Sequence, residues 1–419
     1  MKKKQKEIFE KAYKKLTELY SGEDHAPDIR IINRFYDEKK ILQESELYIC
    51  YLDFIGRLRE IAEQKGEDIM VRGTTGSLFI AYLLGATDVN PLPLFEYCPH
   101  CKTTKFLGLG NPFDCEESVC SCKTTTVFDG HNIPFESNLK SVMSEHIQIA
   151  VSYEFFNEAK KLILDEKWGR TVVTLENEEI GPMWFCFADK DKQENISYAF
   201  AGNTEHFADY PRITLAPNSM LDKYHELVRA TGVRWEDHNP YGCTLSKGLL
   251  CENVLKTVPQ FKGNFYTELF FIESPQNAGD LLKMLGLAHS TDIWRNNAED
   301  LFYECKMTFS EIPAFREDLY EMICDKLRIK AIYETGFAYE VTEKAQTGYY
   351  ARNGGVDKDT KQTLSELGFD MNFIMFIGKI NYMFPKAHGV SYLKDAIKLM
   401  FYKLNFSDEY DNVMENDGQ

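Results

Sequence analysis

Two short cysteine pairs constrain this chain more than any other feature. Cys98-Pro99-His100-Cys101 is a Cys-x-x-Cys knuckle, and Cys120-Ser121-Cys122 follows after eighteen intervening residues. Two such pairs separated by a loop are the usual way to present four thiolates tetrahedrally to zinc, so this stretch predicts a small metal-stapled module. The second pair is one residue shorter than the first, which makes Cys115 a spare ligand that can replace Cys120. Four sulfurs leave no open position for water, so an ion held there is structural. The competing reading is a set of free thiols in a loop. A disulfide framework is not expected, because the eleven cysteines come without an export signal. The basic start Met1-Lys2-Lys3-Lys4 leads into Ile8, Phe9, Ala12, Tyr13 and Leu16 at helical spacing, not into a continuous apolar stretch.

A chain of 419 residues predicts two to four packed units. No apolar run reaches the roughly 18 residues that a membrane-spanning helix needs, and a cytoplasmic location with no membrane partner is expected. The net charge of −17 argues against a protein that coats itself in nucleic acid, while leaving room for a local basic groove. Part of the acid lies at the end of the chain (Asp408, Glu409, Asp411, Glu415, Asp417), and 408–419 reads as a solvated, disordered tail.

Apolar residues recur every three or four positions in 8–20 and again from Leu47 to Ile61, so 1–66 reads as a helical element. Leu78 to Leu84 reads as a further helix, and 88–140 is turn-rich. Residues 145–151 alternate as a strand does. A helix over 154–164, a strand over 170–175, β-like runs at Met183–Ala188 and Ile196–Ala201, and a short strand Arg212–Leu215 follow. From 219 onward the pattern is mainly helical, with loops near 239–248, 259–264 and 352–356.

Between 71 and 77 the sequence reads Val-Arg72-Gly73-Thr-Thr-Gly76-Ser77. Glycine lets a backbone approach a phosphate closely, Ser77 and Arg72 add donors, and a following helix adds its N-terminal dipole. A plain helix-entry turn with a hydroxyl cap explains the same residues. Further segments are Asp88-Val-Asn-Pro-Leu-Pro93, Asp129-Gly-His-Asn-Ile-Pro-Phe-Glu136, Gly286-Leu-Ala-His289-Ser-Thr-Asp292-Ile-Trp294 and Lys379-Ile-Asn-Tyr-Met-Phe-Pro-Lys386-Ala-His388. Together with the glycine loop, and in the same order, they resemble the signatures of the PolC-type DNA polymerase III alpha family, spanning roughly residues 10–405.

The resemblance implies an α+β fold. It implies a polymerase beta-like nucleotidyltransferase palm at 67–220 with a zinc knuckle at 97–123, a helical element at 1–66 and a helical fingers-like domain at 221–407. It also implies cysteine pairs at both knuckle positions, hence structural zinc on Cys98, Cys101, Cys120 and Cys122, and a nucleotide-binding loop of Arg72, Gly73, Gly76 and Ser77.

Family members hold two catalytic magnesium ions about 4 Å apart on three aspartates from adjacent strands. Aligned onto this chain, the Asp-x-Asp positions fall on His146 and Gln148, with Ser152-Tyr153-Glu154 as the anchor, and the third falls on Thr214. Imidazole, amide and hydroxyl groups do not replace anionic oxygen ligands for a hard cation. Glu145 is the nearest carboxylate, and on a strand it faces away from His146 and Gln148. Magnesium is therefore not expected at the palm, and the polymerase activity reads as lost. A family-like glycine-histidine segment between the two strands is not visible; Trp235–Gly242 is its nearest look-alike but sits too late in the order.

Toward the C-terminus, Lys379, Lys386, Lys394, Lys398 and Lys403 accompany Tyr382, Phe384, Tyr392 and Tyr402. This mixture suits phosphate contact and base stacking, with Lys379, Lys386 and His388 as candidate DNA contacts. It equally suits an amphipathic helix with solvated lysines. His289 reads as either a fingers residue or a helix-cap residue. Three functions remain open: a non-catalytic polymerase core that binds DNA, nucleotide or a replication partner; an active nucleotidyltransferase using Glu145, Asp129 or Glu136; and a protein-interaction module that mimics a replication core.

Overall fold

The computed structural model describes residues 2–23, 25–108, 110–140, 146–166, 168, 171–176, 183–188, 211–237, 252–304 and 306–415. The fold is α+β. Its main elements, in chain order, begin with helices α1 (Lys2–Tyr20), α2 (Ile29–Leu42) and α3 (Glu46–Gln64). Strand β1 (Ile69–Arg72), the short helix α4 (Phe79–Leu83), and strands β2 (Leu94–Tyr97), β3 (Thr104–Gly108) and β4 (Val127–Asp129) come next. Then follow β5 (His146–Val151), α5 (Tyr153–Glu166), β6 (Thr171–Glu176), β7 (Met183–Ala188), β8 (Arg212–Pro217) and α6 (Ser219–Thr231). Among the later helices are α7 (Ala278–His289), α8 (Arg316–Ile329), α9 (Met371–Lys379), α10 (Lys386–Asn405) and α11 (Ser407–Glu415). The run Ile196–Ala201 and the loop expected near 239–248 lie outside the described residues.

The chain divides into two compact units. The first comprises Met1–Asn132, Asn138–Lys247 and Lys398–Gln419. Its centre is a five-stranded sheet of order β1-β5-β8-β7-β6. β5 and β8 run parallel, with α5, β6 and β7 between them in the chain, while the other neighbouring pairs are antiparallel. Side chains alternate between the two faces. Ile69, Val71, Ile147, Ile149, Val151, Ile213, Leu215, Phe185 and Phe187 fall on one face and are buried, and α5 packs on β5 and β8. The opposite face carries the polar positions of the same strands. At the start of α5, Ser152 Oγ accepts from Phe155 N at 3.1 Å and donates to Glu67 Oε2 at 2.5 Å, which fixes where β5 ends.

Around this sheet, α1 to α3 bury one stripe each, including Ile8, Phe9, Ala12 and Leu16 from α1 and Ile31, Phe35 and Leu42 from α2. Gly56 lets α3 approach the end of α4 closely: a β-carbon there would stand 1.9 Å from the Leu84 carbonyl oxygen. The turn-rich stretch contains a second, three-stranded sheet of order β3-β2-β4. The acidic tail expected to be disordered is instead helical over α11. Tyr410 and Val413, three residues apart, are buried, and Lys403 pairs with Asp411 at 2.6 Å. Asp408 and Glu409 sit in its first turn, where carboxylates oppose the helix dipole.

The second unit comprises Ile133–Ser137 and Gly248–Ile397 and is helical. Two of the sequence motifs meet inside it. Thr291 and Tyr382 form a β-bridge, Asn381 Nδ2 donates to the Asp292 carboxylate, and His289 stacks on Phe384 with ring centroids 4.9 Å apart. Gly286 and Gly389 both close on Phe315, with added β-carbons falling 2.7 and 2.6 Å from its ring. That contact explains why neither position carries a side chain.

Candidate functional site

The register of the five-stranded sheet brings His146, Gln148 and Thr214 together. Gln148 on β5 lies directly opposite Thr214 on the parallel strand β8, and His146, two residues earlier, lies opposite Arg212. All four therefore project from one face. His146 Nε2 lies 2.9 Å from Thr214 Oγ1, and Arg212 Nη2 lies 3.4 Å from His146 Nδ1. An arginine only donates, so Nδ1 accepts and Nε2–H donates to the threonine hydroxyl. Burial, and after it the Arg212 charge, lowers the His146 pKa to about 3. The ring is thus neutral at pH 7, and the fixed positive charge is Arg212. Burial lowers the Arg212 pKa as well, against the opposing effect of Cys186.

The same face extends to both sides. Arg72 on β1 stands opposite Gln148, and Trp184 on β7 stands opposite Thr214. Gln148 is exposed, and Arg72, Trp184 and Thr214 are half-buried. None of the described strand positions on this face is an aspartate or glutamate. Glu145 lies outside the described residues. Asp129 belongs to the other sheet, where it accepts from Asn90 Nδ2 at 2.7 Å, Tyr82 at 3.2 Å and Gly130 N at 2.8 Å. Glu136 opens a 3-10 turn, Glu136–Asn138.

The glycine loop departs from its expected form. Gly73 turns with φ +76° and has open space where a β-carbon would stand, and Arg72 and Gly73 are half-buried. Gly76 and Ser77 are buried, and Ser77 Oγ donates to Thr74 O at 2.7 Å. The helix start beyond them already holds an anion. Phe79 N and Ile80 N donate to the two Glu38 oxygens at 2.8 and 2.9 Å. Glu38 is fully buried and pairs with Arg34 at 2.6 Å, and Arg34 also donates to Ser77 O. A carboxylate from α2 thus occupies the place assigned to a phosphate. Sequence reasoning missed it because Glu38 sits among the charged residues of an amphipathic helix, with no local mark of burial.

The cysteine module has a geometry that could hold a metal ion, and its fourth member is Cys120 rather than Cys115. The sulfurs of Cys98, Cys101, Cys120 and Cys122 all lie within 4.8 Å of one another, with Cys98 and Cys122 3.6 Å apart. Four metal–sulfur bonds of about 2.3 Å in a tetrahedron give sulfur–sulfur edges of about 3.8 Å. Cys115 stands outside the cluster and donates to Asn111 O at 3.7 Å. Each pair sits on a tight turn: Lys102 N returns to Cys98 O at 2.8 Å and Lys123 N to Cys120 O at 2.8 Å. Lys102 and Lys123 both adopt positive φ. Cys101 N also donates to Cys98 Sγ at 3.4 Å. Hydrogen bonds from Thr124 pull the Cys122 thiol down to about 6, and hydrogen bonding to Cys122 pushes Cys101 up to about 12. Among the described residues this is the one cluster of three or more such side chains with metal-binding geometry.

The C-terminal lysines do not form one basic surface. Lys386 pairs with Asp318 at 3.4 Å, Lys398 with Glu236 at 3.1 Å and Lys403 with Asp411. Phe384 and Tyr402 are core residues, and His388 packs against Phe384 and Tyr392 at 4.7 and 4.6 Å. Lys379 is exposed and reaches Asn296 O at 3.3 Å. In the glycine-histidine look-alike, Glu236 accepts from Tyr224 at 2.5 Å, a packing role, and 238–242 lie outside the described residues.

No helix among the described residues is long and apolar enough to cross a membrane. No protein-family model matches the chain. It is similar to the DNA polymerase III PolC-type of Bacillus cereus, 23% identical over 80% of this chain and 28% of that protein. It is likewise similar to the Streptococcus thermophilus protein of the same name, 23% identical over 96% of this chain and 32% of the other. The Staphylococcus aureus protein is 24% identical over 95% and 32%. The chain spans under a third of the length of these curated relatives.

Proposed function

Because the chain is a PolC-like relative of DNA polymerase III, we propose that it is a catalytically degenerate polymerase core. In this reading the five-stranded sheet is a polymerase beta-like nucleotidyltransferase palm and the helical second unit is fingers-like. The protein works in the cytoplasm by binding DNA, a nucleotide or a replication partner rather than by extending a primer. One observation carries the proposal: His146, Gln148 and Thr214 stand together on adjacent parallel strands, and His146 hydrogen-bonds Thr214. Neutral donors and acceptors pair with each other there, beside an arginine, where two divalent cations would need anionic oxygens.

The alternative, an active enzyme with other ligands, draws little support from Asp129, whose carboxylate is engaged in its own loop. The four cysteines fit structural zinc by ligand chemistry and spacing. Such an ion would hold the two knuckles and the three-stranded sheet in place. Lys379 remains a candidate DNA contact, while Lys386 and His388 are reassigned to packing the second unit.

The test is manganese binding, followed by electron paramagnetic resonance on zinc-loaded protein. The unmodified chain should show no tight stoichiometric site, and the H146D/Q148D/T214D variant should gain one. Tight binding by the unmodified chain that Glu145→Gln abolishes would instead establish the alternative.

A further inference from the structure

The polar face of the five-stranded sheet carries, in one row across four strands, Arg72, Gln148, Thr214 and Trp184. We propose that this row, with Arg212, binds a nucleotide unit directly and without a divalent ion. The indole stacks on the base, and the two guanidinium groups hold the phosphate. The inference rests on the reading of the face as a degenerate palm.

The dimensions suit the ligand. Strands lie about 4.8 Å apart, so the row spans about 14 Å. Arg72 and Arg212 are separated by two strand spacings and two residues along β8, about 12 Å between α-carbons, and flank Gln148 from either side. Long side chains from both can meet a phosphate placed over that exposed amide. Guanidinium forks suit phosphate oxygens, and aromatic faces stack on any base.

The hydrogen bonding favours this role. Because Nε2–H of His146 donates to Thr214 Oγ1, the threonine keeps its own hydroxyl hydrogen to offer a ligand. Arg212 is oriented by its contact with His146 Nδ1. No aspartate or glutamate occupies a described strand position on the face to repel an anion. In a metal-dependent palm, magnesium bridges protein carboxylates to the triphosphate. Here the protein supplies the positive charge itself, so the bridge is unnecessary. His146 stays neutral and so adds no titrating charge to the face across the neutral range.

Trp184 supplies the readout. Of the four tryptophans, Trp168, Trp235 and Trp294 are buried and Trp184 is half-exposed. Zinc-loaded protein is titrated in buffer freed of magnesium over a chelating resin, with thymidine triphosphate and, separately, with a short oligodeoxythymidylate, following tryptophan fluorescence and binding heat. At least one probe should bind and quench. Response to the triphosphate alone identifies a free nucleotide as the source, and response to the oligonucleotide alone identifies a single strand. Arg212→Gln and Arg72→Gln should each weaken binding about tenfold, the equivalent of one charged fork. Trp184→Phe should remove most of the quench. Gln148→Glu, at an exposed position that leaves folding intact, should weaken binding at least as much as either arginine change.

Absence of binding by both probes in magnesium-free buffer overturns the inference, as does binding unaffected by Arg72→Gln and Gln148→Glu. The degenerate-palm reading survives that failure so long as manganese is not bound. If manganese is bound tightly, the underlying reading has failed instead.

Discussion

His146 couples the stability of the sheet to pH. Burial and Arg212 lower its pKa to about 3, while in the unfolded chain a histidine titrates near 6.5. Below about pH 6 the unfolded state therefore binds a proton that the native state refuses, so stability falls with acidification. The slope approaches about 1.4 kcal/mol per pH unit until the native pKa is reached. Chemical denaturation between pH 7 and pH 5 should show this loss, and His146→Gln should remove most of it; an unchanged slope in that variant would place the titrating group elsewhere. The cysteines make a second residue-level test. Cys98→Ser or Cys120→Ser should abolish binding of about one zinc per chain and lower stability by several kcal/mol. Cys115→Ser should leave metal content unchanged. The cluster was legible from its spacing, whereas the choice between Cys120 and Cys115 needed three dimensions. The neutrality of His146 was not, because it depends first on burial in the folded sheet and then on Arg212, 66 residues away in sequence.

Secondary structure was most legible where pattern alone sets it. The alternation at 145–151 became β5, the run at 183–188 became β7, and the periodicity at 154–164 became α5. The strands around the knuckle were hidden because they are short and sit between turns. The helical end was hidden because acidic composition masked the Tyr410 and Val413 stripe. The glycine loop shows the limit of motif reading: its residues match a phosphate loop, but a carboxylate from another helix fills the α4 N-terminus. Glu38→Ala would leave Arg34 without its buried partner and two backbone amides without their acceptor. We expect a loss of about 3 to 5 kcal/mol by urea denaturation. A loss below about 1 kcal/mol would show that the contact is dispensable. Gly56→Ala should also be severely destabilising, since the added carbon meets backbone rather than a movable side chain.

For the molecule as a whole, charge and site point in opposite directions. A net charge of −17 repels nucleic acid at long range, so affinity must come from a few local contacts rather than an extended basic surface. Two arginine contacts to a single strand predict a salt slope of log K against log concentration of only about −1.4. A much steeper dependence would reveal a larger phosphate-binding surface than the row across the sheet. The central claim concerns chemistry, and primer extension tests it most directly. A primed template is incubated with all four deoxynucleotides and magnesium or manganese. On the proposed reading the chain leaves the primer at its original length, because His146, Gln148 and Thr214 stand together and none supplies a carboxylate for magnesium. Robust, template-directed extension by the unmodified protein would contradict the alignment of His146, Gln148 and Thr214 with the catalytic positions, and with it the account of this chain as a degenerate core.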